Sequence, residues 1–274
     1  VVVFPNCKIN LGLHITAKRP DGYHDLETVF YPLPLYDALE WIKEASTQAI
    51  RFTGSGREIT GDPAHNLCVK AWHLLKKDYP QLTGGQMHLH KNIPIGAGLG
   101  GGSADGAFAL QLLNRAFNLG LTAAQLAAYA LQLGSDCPFF ILNQPAFARG
   151  RGELLEPLGL SLAGYRLVVI NPGIHIPTGW AFSQVQPGPA VTPLQELLGK
   201  PIEHWKDRLV NVFEPPVMKA YPELAAIKTA LYRAGALYAA MSGSGSTFFG
   251  IFSKKSDITI EIPEHYLVLR LDMD

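Results

Sequence analysis

Eight consecutive residues, Gly96-Ala97-Gly98-Leu99-Gly100-Gly101-Gly102-Ser103, include six that are Gly or Ser. A short alternating pattern, residues 86–90, precedes them, and a helical stripe follows, with Ala109, Leu112, Leu113, Ala116 and Phe117 at i, i+3, i+4, i+7 and i+8. A strand that empties through glycines into a helix is a strong constraint. Without side chains the backbone can approach a ligand closely, and its N–H groups can converge on an anion. The positive end of the helix dipole adds to the same point, so phosphate is the natural guest. A flexible surface linker shares the composition but rarely joins a strand to so amphipathic a helix.

Two familiar phosphate loops fit poorly. A Walker loop needs Lys after its last Gly, and here Ser103 follows Gly102. Gly96-x-Gly98-x-x-Gly101 matches the dinucleotide fingerprint letter for letter. That fingerprint also needs an acidic residue about 20 positions on, and no Asp or Glu lies between Gly106 and Ser135.

The opening of the chain alternates. Cys7, Ile9, Leu11, Leu13 and Ile15 interleave with Lys8, Asn10, Gly12 and His14, which predicts a strand over residues 6–15. Its polar set is either a solvated face or a row of functional groups. Strands are also predicted at residues 28–33, 38–42, 166–171, 238–241, 247–252 and 266–271, with another before Phe52. Helices are predicted at residues 66–77, after the glycine segment, from Thr122 to Gly134, around residues 205–213, and across Leu224, Ile227 and Leu231. Thr122 and Gln125 have capping-box spacing. Helices mixed with largely antiparallel strands indicate an α+β fold. With 274 residues the prior is about two domains. The Gly and Pro density near residues 150–160 places a boundary between 1–155 and 156–274.

Composition narrows the function. Lys+Arg and Asp+Glu are both 23, so the net charge is zero, which argues against nucleic acid as a partner. Cys7, Cys68 and Cys137 are far apart with no CxxC pair, so neither a zinc ribbon nor a disulfide scaffold is expected. No apolar run reaches the ~18 residues of a membrane span, and residues 1–5, VVVFP, lack the basic start of a signal peptide. A cytoplasmic protein with no membrane partner is the expectation. His88 and His90 share a strand face, but no third ligand is evident, so no metal site is expected.

Residues 94–105, PIGAGLGGGSAD, resemble the phosphate loop of the GHMP kinases, small-molecule kinases without a Walker loop. The triple Gly before Ser resembles the branch acting on a cytidine diphosphate sugar alcohol. Three further blocks are similar to that branch: residues 5–11 (PNCKINL) followed by 19–24 (RPDGYH), residues 133–140 (LGSDCPFF), and residues 241–247 (MSGSGST). One block departs. Family members often read Asn-Asp-x-Glu where this chain has Asn211-Val212-Phe213-Glu214.

The resemblance implies a two-domain GHMP fold, a ribosomal protein S5 domain 2-like N-terminal domain plus a ferredoxin-like C-terminal domain. It implies phosphorylation of the 2-hydroxyl of 4-diphosphocytidyl-2-C-methyl-D-erythritol in non-mevalonate isoprenoid synthesis. ATP with Mg²⁺ would be the co-substrate, with no tightly bound cofactor, and the enzyme would be a monomer or weak homodimer. Phosphoryl transfer needs a cradle, charge neutralisation, an aligned hydroxyl and a destination for its proton. By resemblance, Pro94, Ile95, Gly96, Ala97, Gly98, Leu99, Gly100, Gly101, Gly102, Ser103 and Ala104 form the cradle. Asn66 would contact adenine, although an ordinary helix cap explains it too. Asp136 and Lys8 are implied to pair as base and cation. Asn10 would orient the substrate hydroxyl or Lys8 itself. Tyr23 and His24 would hold cytosine against Phe182, with Trp180 an alternative ring and core packing an alternative use for Phe182.

Overall fold

The structure, a computed structural model, describes every residue except Val191. In chain order the strands are β1 (Val2–Val3), β2 (Asn6–Lys18), β3 (His24–Tyr36), β4 (Ala38–Lys43), β5 (Ile50–Gly56), β6 (Gly85–Lys91), β7 (Ala146–Arg149), β8 (Leu154–Pro157), β9 (Tyr165–Asn171), β10 (Tyr238–Met241), β11 (Phe248–Ser253) and β12 (Leu267–Asp272). The helices are α1 (Leu67–Asp78), α2 (Gly101–Ala116), α3 (Ala123–Leu133), α4 (Cys137–Leu142), α5 (Thr178–Ser183), α6 (Leu194–Leu198), α7 (Glu214–Ala220) and α8 (Glu223–Arg233). Among the described residues no helix is long and apolar enough to cross a membrane.

The chain forms two compact units. The first comprises Val1–Lys8, Leu35–Ile95 and Gly100–Gln144; the second comprises Ile9–Pro34, Gly96–Leu99 and Pro145–Asp274. They interleave along the sequence. A single cut at residue 155, drawn from Gly and Pro density, is a different partition from this one.

In the first unit the sheet runs β1-β4-β6-β5, antiparallel except for β5 beside β6. Alternation sorts its faces. Leu39, Trp41, Met87 and Leu89 are buried, whereas Glu40 and His88 are half-exposed. α1 and α2 pack together through stripes that include Ala71, Trp72 and Leu75 on α1 and Ala109, Leu112 and Leu113 on α2. α3 opens on the expected capping box: Gln125 N donates to Thr122 Oγ1 at 3.3 Å, and Thr122 N donates to Gln125 Oε1 at 2.9 Å.

In the second unit β10-β11-β9-β12 form an antiparallel sheet, and α8 lays Leu224, Ile227 and Leu231 against β10 and β11. Leu13, Ile15, Val168, Ile170, Phe213 and Phe248 share this core. A second sheet follows the order β2-β3-β7-β8.

Two sequence expectations change. The polar set on β2 is not a solvated face: Lys8, Asn10 and His14 are all buried. A buried polar group needs partners, so each must be accounted for by what it touches. The helix expected around residues 205–213 is absent. Trp205, Leu209 and Phe213 are buried at helical spacing, but Asp207 takes a left-handed φ of 61° and breaks the segment. Beyond it the chain pairs with β2 instead: Leu13 N donates to Val210 O at 2.9 Å and Val212 N to Leu13 O at 3.0 Å. Strand-type pairing takes the backbone groups that a helix would have used.

Candidate active site

In the first unit the elements converge on Lys8. Its side chain is 4% exposed, and its Nζ lies 3.3 Å from an Asp136 carboxylate oxygen, whose side chain is 33% exposed. β2 delivers the lysine. The carboxylate comes from the short connection between α3 and α4, where Asp136 precedes α4 without capping it through its side chain. Gly100 completes the corner. A Cβ there would lie 3.0 Å from Lys8 Cε and 3.0 Å from the Phe140 ring, and its φ of 69° is left-handed. Only glycine suits that position without strain.

Gly100 is also the N-cap of α2 and supplies no side-chain cap. The first N–H groups of that helix are therefore available to an anion. Gly102 beside them is exposed, and a Cβ there would meet nothing within 4 Å. Ser103 is half-buried and Ala104 buried. Pro94 is buried and Ile95 exposed.

Asn66 caps α1, its Oδ1 accepting from Cys68 N at 2.9 Å. Its amide nitrogen is left to donate to a ligand. Asn66 lies on the wall of a cavity of about 490 Å³ formed by β5 and residues 57–66. His88 and His90 are engaged by hydroxyls: Thr53 Oγ1 and Ser55 Oγ each lie 2.8 Å from a His88 ring nitrogen, and Ser55 Oγ lies 3.0 Å from His90 Nδ1. Among the described residues no group of three or more His, Cys, Asp or Glu side chains is placed to hold a metal ion. The three cysteines are free and buried, and burial pushes Cys7 and Cys137 up to about 12. None is a ready thiolate nucleophile.

In the second unit Ala97 and Gly98 meet the loop of residues 242–247. Ser242 Oγ donates to Gly98 O at 2.8 Å, and Thr247 N donates to Ala97 O at 3.3 Å. A Cβ on Gly98 would fall 2.0 Å from the Ser242 carbonyl oxygen, so this close approach needs glycine. Asn10 is tied to the same loop, its backbone N–H donating to Ser242 Oγ at 3.3 Å, while its Nδ2 donates to Thr28 Oγ1 at 3.0 Å.

The aromatic set also lies in this unit. His24 and Phe182 are in direct ring contact, with centroids 5.0 Å apart and planes 31° apart, so no base fits between them as they stand. Phe182 also meets Phe213 edge-on at 4.9 Å. Tyr23 is exposed, with the Arg151 guanidinium 3.7 Å over its ring. Trp180 packs edge-on to Tyr221 against the core.

Sequence reasoning missed the use of the departing block. Asn211 Nδ2 donates to both Met241 O and Gly243 O at 2.8 Å, and Glu214 Oε1 accepts from Met241 N at 2.8 Å. These two side chains clamp the entrance to the 242–247 loop. Val212, within the same block, packs against the core. The family pattern marks this block, but nothing in the spacing along the chain shows what Asn211 and Glu214 touch.

Comparison with known proteins bears on this arrangement. Residues 66–151 match the family model described as GHMP kinases N terminal domain, and residues 193–261 match the one described as GHMP kinases C terminal. A 4-diphosphocytidyl-2-C-methyl-D-erythritol kinase of Bacteroides fragilis (strain YCH46) is 53% identical over 260 residues, covering 94% of each chain. The chain belongs to the GHMP kinase family. The crystal structure of a 4-(cytidine 5'-diphospho)-2C-methyl-D-erythritol kinase superposes with a TM-score of 0.78 at 35% identity, covering 92% of this chain and 90% of that one. Methanococcus jannaschii mevalonate kinase superposes with a TM-score of 0.69 at 12% identity, covering 100% of this chain and 98% of that one, a likeness of fold alone. This GHMP kinase has the two-domain α+β fold of its family.

Proposed function

We propose that this chain transfers the γ-phosphoryl group of MgATP to the 2-hydroxyl of 4-diphosphocytidyl-2-C-methyl-D-erythritol, as a cytoplasmic enzyme of non-mevalonate isoprenoid synthesis. The observation that carries the chemistry is the Lys8–Asp136 pair at 3.3 Å, with Gly100 packed on the lysine stem. The substrate assignment draws support from relatives of that name at 53% and 48% identity.

In this reading the uncapped start of α2 and the residues from Pro94 to Ala104 cradle the phosphates. Asp136, one-third exposed, is open to a hydroxyl and takes its proton. Lys8 holds the carboxylate in place and offsets the negative charge that develops on the transferring group. Catalysis is then mostly alignment plus preorganised electrostatics. Asn10 orients the hydroxyl, and Asn66 offers its amide nitrogen to adenine. Tyr23, His24 and Phe182 hold cytosine. Their present contact requires the His24 and Phe182 rings to part, or the base to stack on an outer face. Mg²⁺ enters with ATP as part of the substrate. A monomer or weak homodimer suffices, since this reading needs no residue from a second copy.

ADP release measured with MgATP and a panel of alcohols tests the assignment. Turnover of the cytidine diphosphate alcohol, with homoserine and mevalonate inert, is expected. Turnover of homoserine or mevalonate in its place would overturn the substrate, and ATP binding without turnover of any alcohol would overturn the activity.

A further inference from the structure

The first unit holds buried charge that the chemistry above leaves unused. Lys91 is the last residue of β6. Its ammonium donates to Asp37, between β3 and β4, and to Asp105 Oδ2 on α2, the latter at 2.7 Å. All three side chains are 4% exposed or less. Asp37 uses its other oxygen as well, Oδ1 accepting from the backbone N–H of Asn92 at 2.6 Å and of Ile93 at 2.8 Å.

The placement matters more than the charges. Asn92 and Ile93 lie just before the glycine segment, and Asp105 lies just after it. Asp37 holds the incoming stem, Asp105 belongs to the outgoing one, and Lys91 joins the two. The fit is close, since a Cβ on Gly101 would lie 3.0 Å from Lys91 Nζ and 2.8 Å from Ile93 Cγ2. Stability alone does not explain the cluster. Buried ion pairs are commonly matched or bettered by apolar side chains of similar volume, whereas they do fix a single geometry where register matters. A short loop with both stems held has less conformational freedom to lose when a ligand orders it.

We propose that Lys91, clamped between Asp37 and Asp105, is a positioning residue that fixes both stems of the glycine segment, residues 91–95 and 100–105, and so presets its N–H groups for the phosphates of ATP. This rests on reading that segment as the ATP cradle. Lys91 acts through the backbone and not by touching the nucleotide. Burial, with the charge of Asp37 adding to it, pushes Asp105 up to about 7. Oδ2 remains an acceptor for the ammonium in either protonation state.

The test separates a positioning role from a merely structural one. Asp105→Ala cuts the link to α2 and leaves Lys91 paired with Asp37, a neutral pair that the fold can carry. In steady-state kinetics its KM for ATP rises about tenfold or more, while KM for the alcohol stays within about twofold. Asp105→Asn, which keeps an acceptor for Lys91, restores most of the loss. Should Asp105→Ala not accumulate folded, Asp105→Ser replaces it under the same criterion. Hydrogen exchange on the wild-type enzyme is decisive in any case: amides at residues 92–93 and 104–105 exchange slowly without ATP, while those at 96–99 and 101–103 exchange faster until ATP is added. A folded variant with unchanged KM for ATP, equal rises in both KM values, or stems that exchange as fast as the tip would overturn the proposal. Absence of turnover by the wild-type enzyme would defeat the functional reading instead, leaving the exchange pattern to judge the clamp.

Discussion

Two lysines in the first unit are almost equally buried, and their surroundings differ in one respect. Lys8 faces the Asp136 carboxylate, whose side chain is 33% exposed; Lys91 faces two carboxylates that are 0% and 4% exposed. The first arrangement is open on the acid side, so a hydroxyl can reach Asp136 and a proton can leave. The second is closed, so it can only hold parts together. On the proposed reading the same pair of residue types serves chemistry in one place and geometry in the other, and solvent access to the carboxylate decides which.

Substituting each lysine by methionine, which keeps most of the volume, sharpens the contrast. Lys8→Met is expected to lower kcat by about 10²–10⁴-fold, because Asp136 loses its orienting cation and the transferring group its charge partner. Its effect on stability is small, since an open carboxylate can be hydrated. Lys91→Met is expected to leave Asp37 and Asp105 buried without a cation, at a cost of about 3–5 kcal/mol in denaturant unfolding. If Lys8→Met proved the more destabilising of the two, the contrast between an open and a closed pair would fail.

The closed pair also makes a smaller, pH-dependent prediction. Asp105 is raised from its ordinary 3.8 to about 7 in the folded chain, with burial the main cause. The folded state thus binds this proton more tightly than the unfolded state. Its contribution to stability is complete below the unfolded value and is lost as pH rises through the folded one. Asparagine cannot titrate. The stability of Asp105→Asn relative to wild type should therefore grow between about pH 4 and pH 7 and level off above it. Chemical denaturation at several pH values measures it, and a difference that stays flat would remove the closed character assigned to this cluster.

Much of the open site is legible in the amino-acid sequence, and the closed one is not. The glycine segment shows itself through composition and its position between a strand and an amphipathic stripe. Resemblance of residues 5–11 and 133–140 to a kinase family points to Lys8 and Asp136, which lie 3.3 Å apart. Lys91, Asp37 and Asp105 carry no comparable signal. They are single charged residues at a strand end, in a turn and in a helix, where solvation is the ordinary expectation. Asn211 is hidden for another reason. The apolar spacing of Trp205, Leu209 and Phe213 suits a helix, and only the pairing of residues 210–212 with Leu13 shows that the backbone is extended there. Such long-range hydrogen bonds override local periodicity and leave no mark in a window of sequence.

The central claim is that Asp136, held by Lys8, accepts the proton of the alcohol. Single-turnover phosphoryl transfer by Asp136→Asn, with ATP binding measured alongside, tests it most directly. The expected result is near-native ATP affinity and melting temperature with the transfer rate reduced at least ~10²-fold. Transfer at the wild-type rate by that folded, ATP-binding variant would contradict the account.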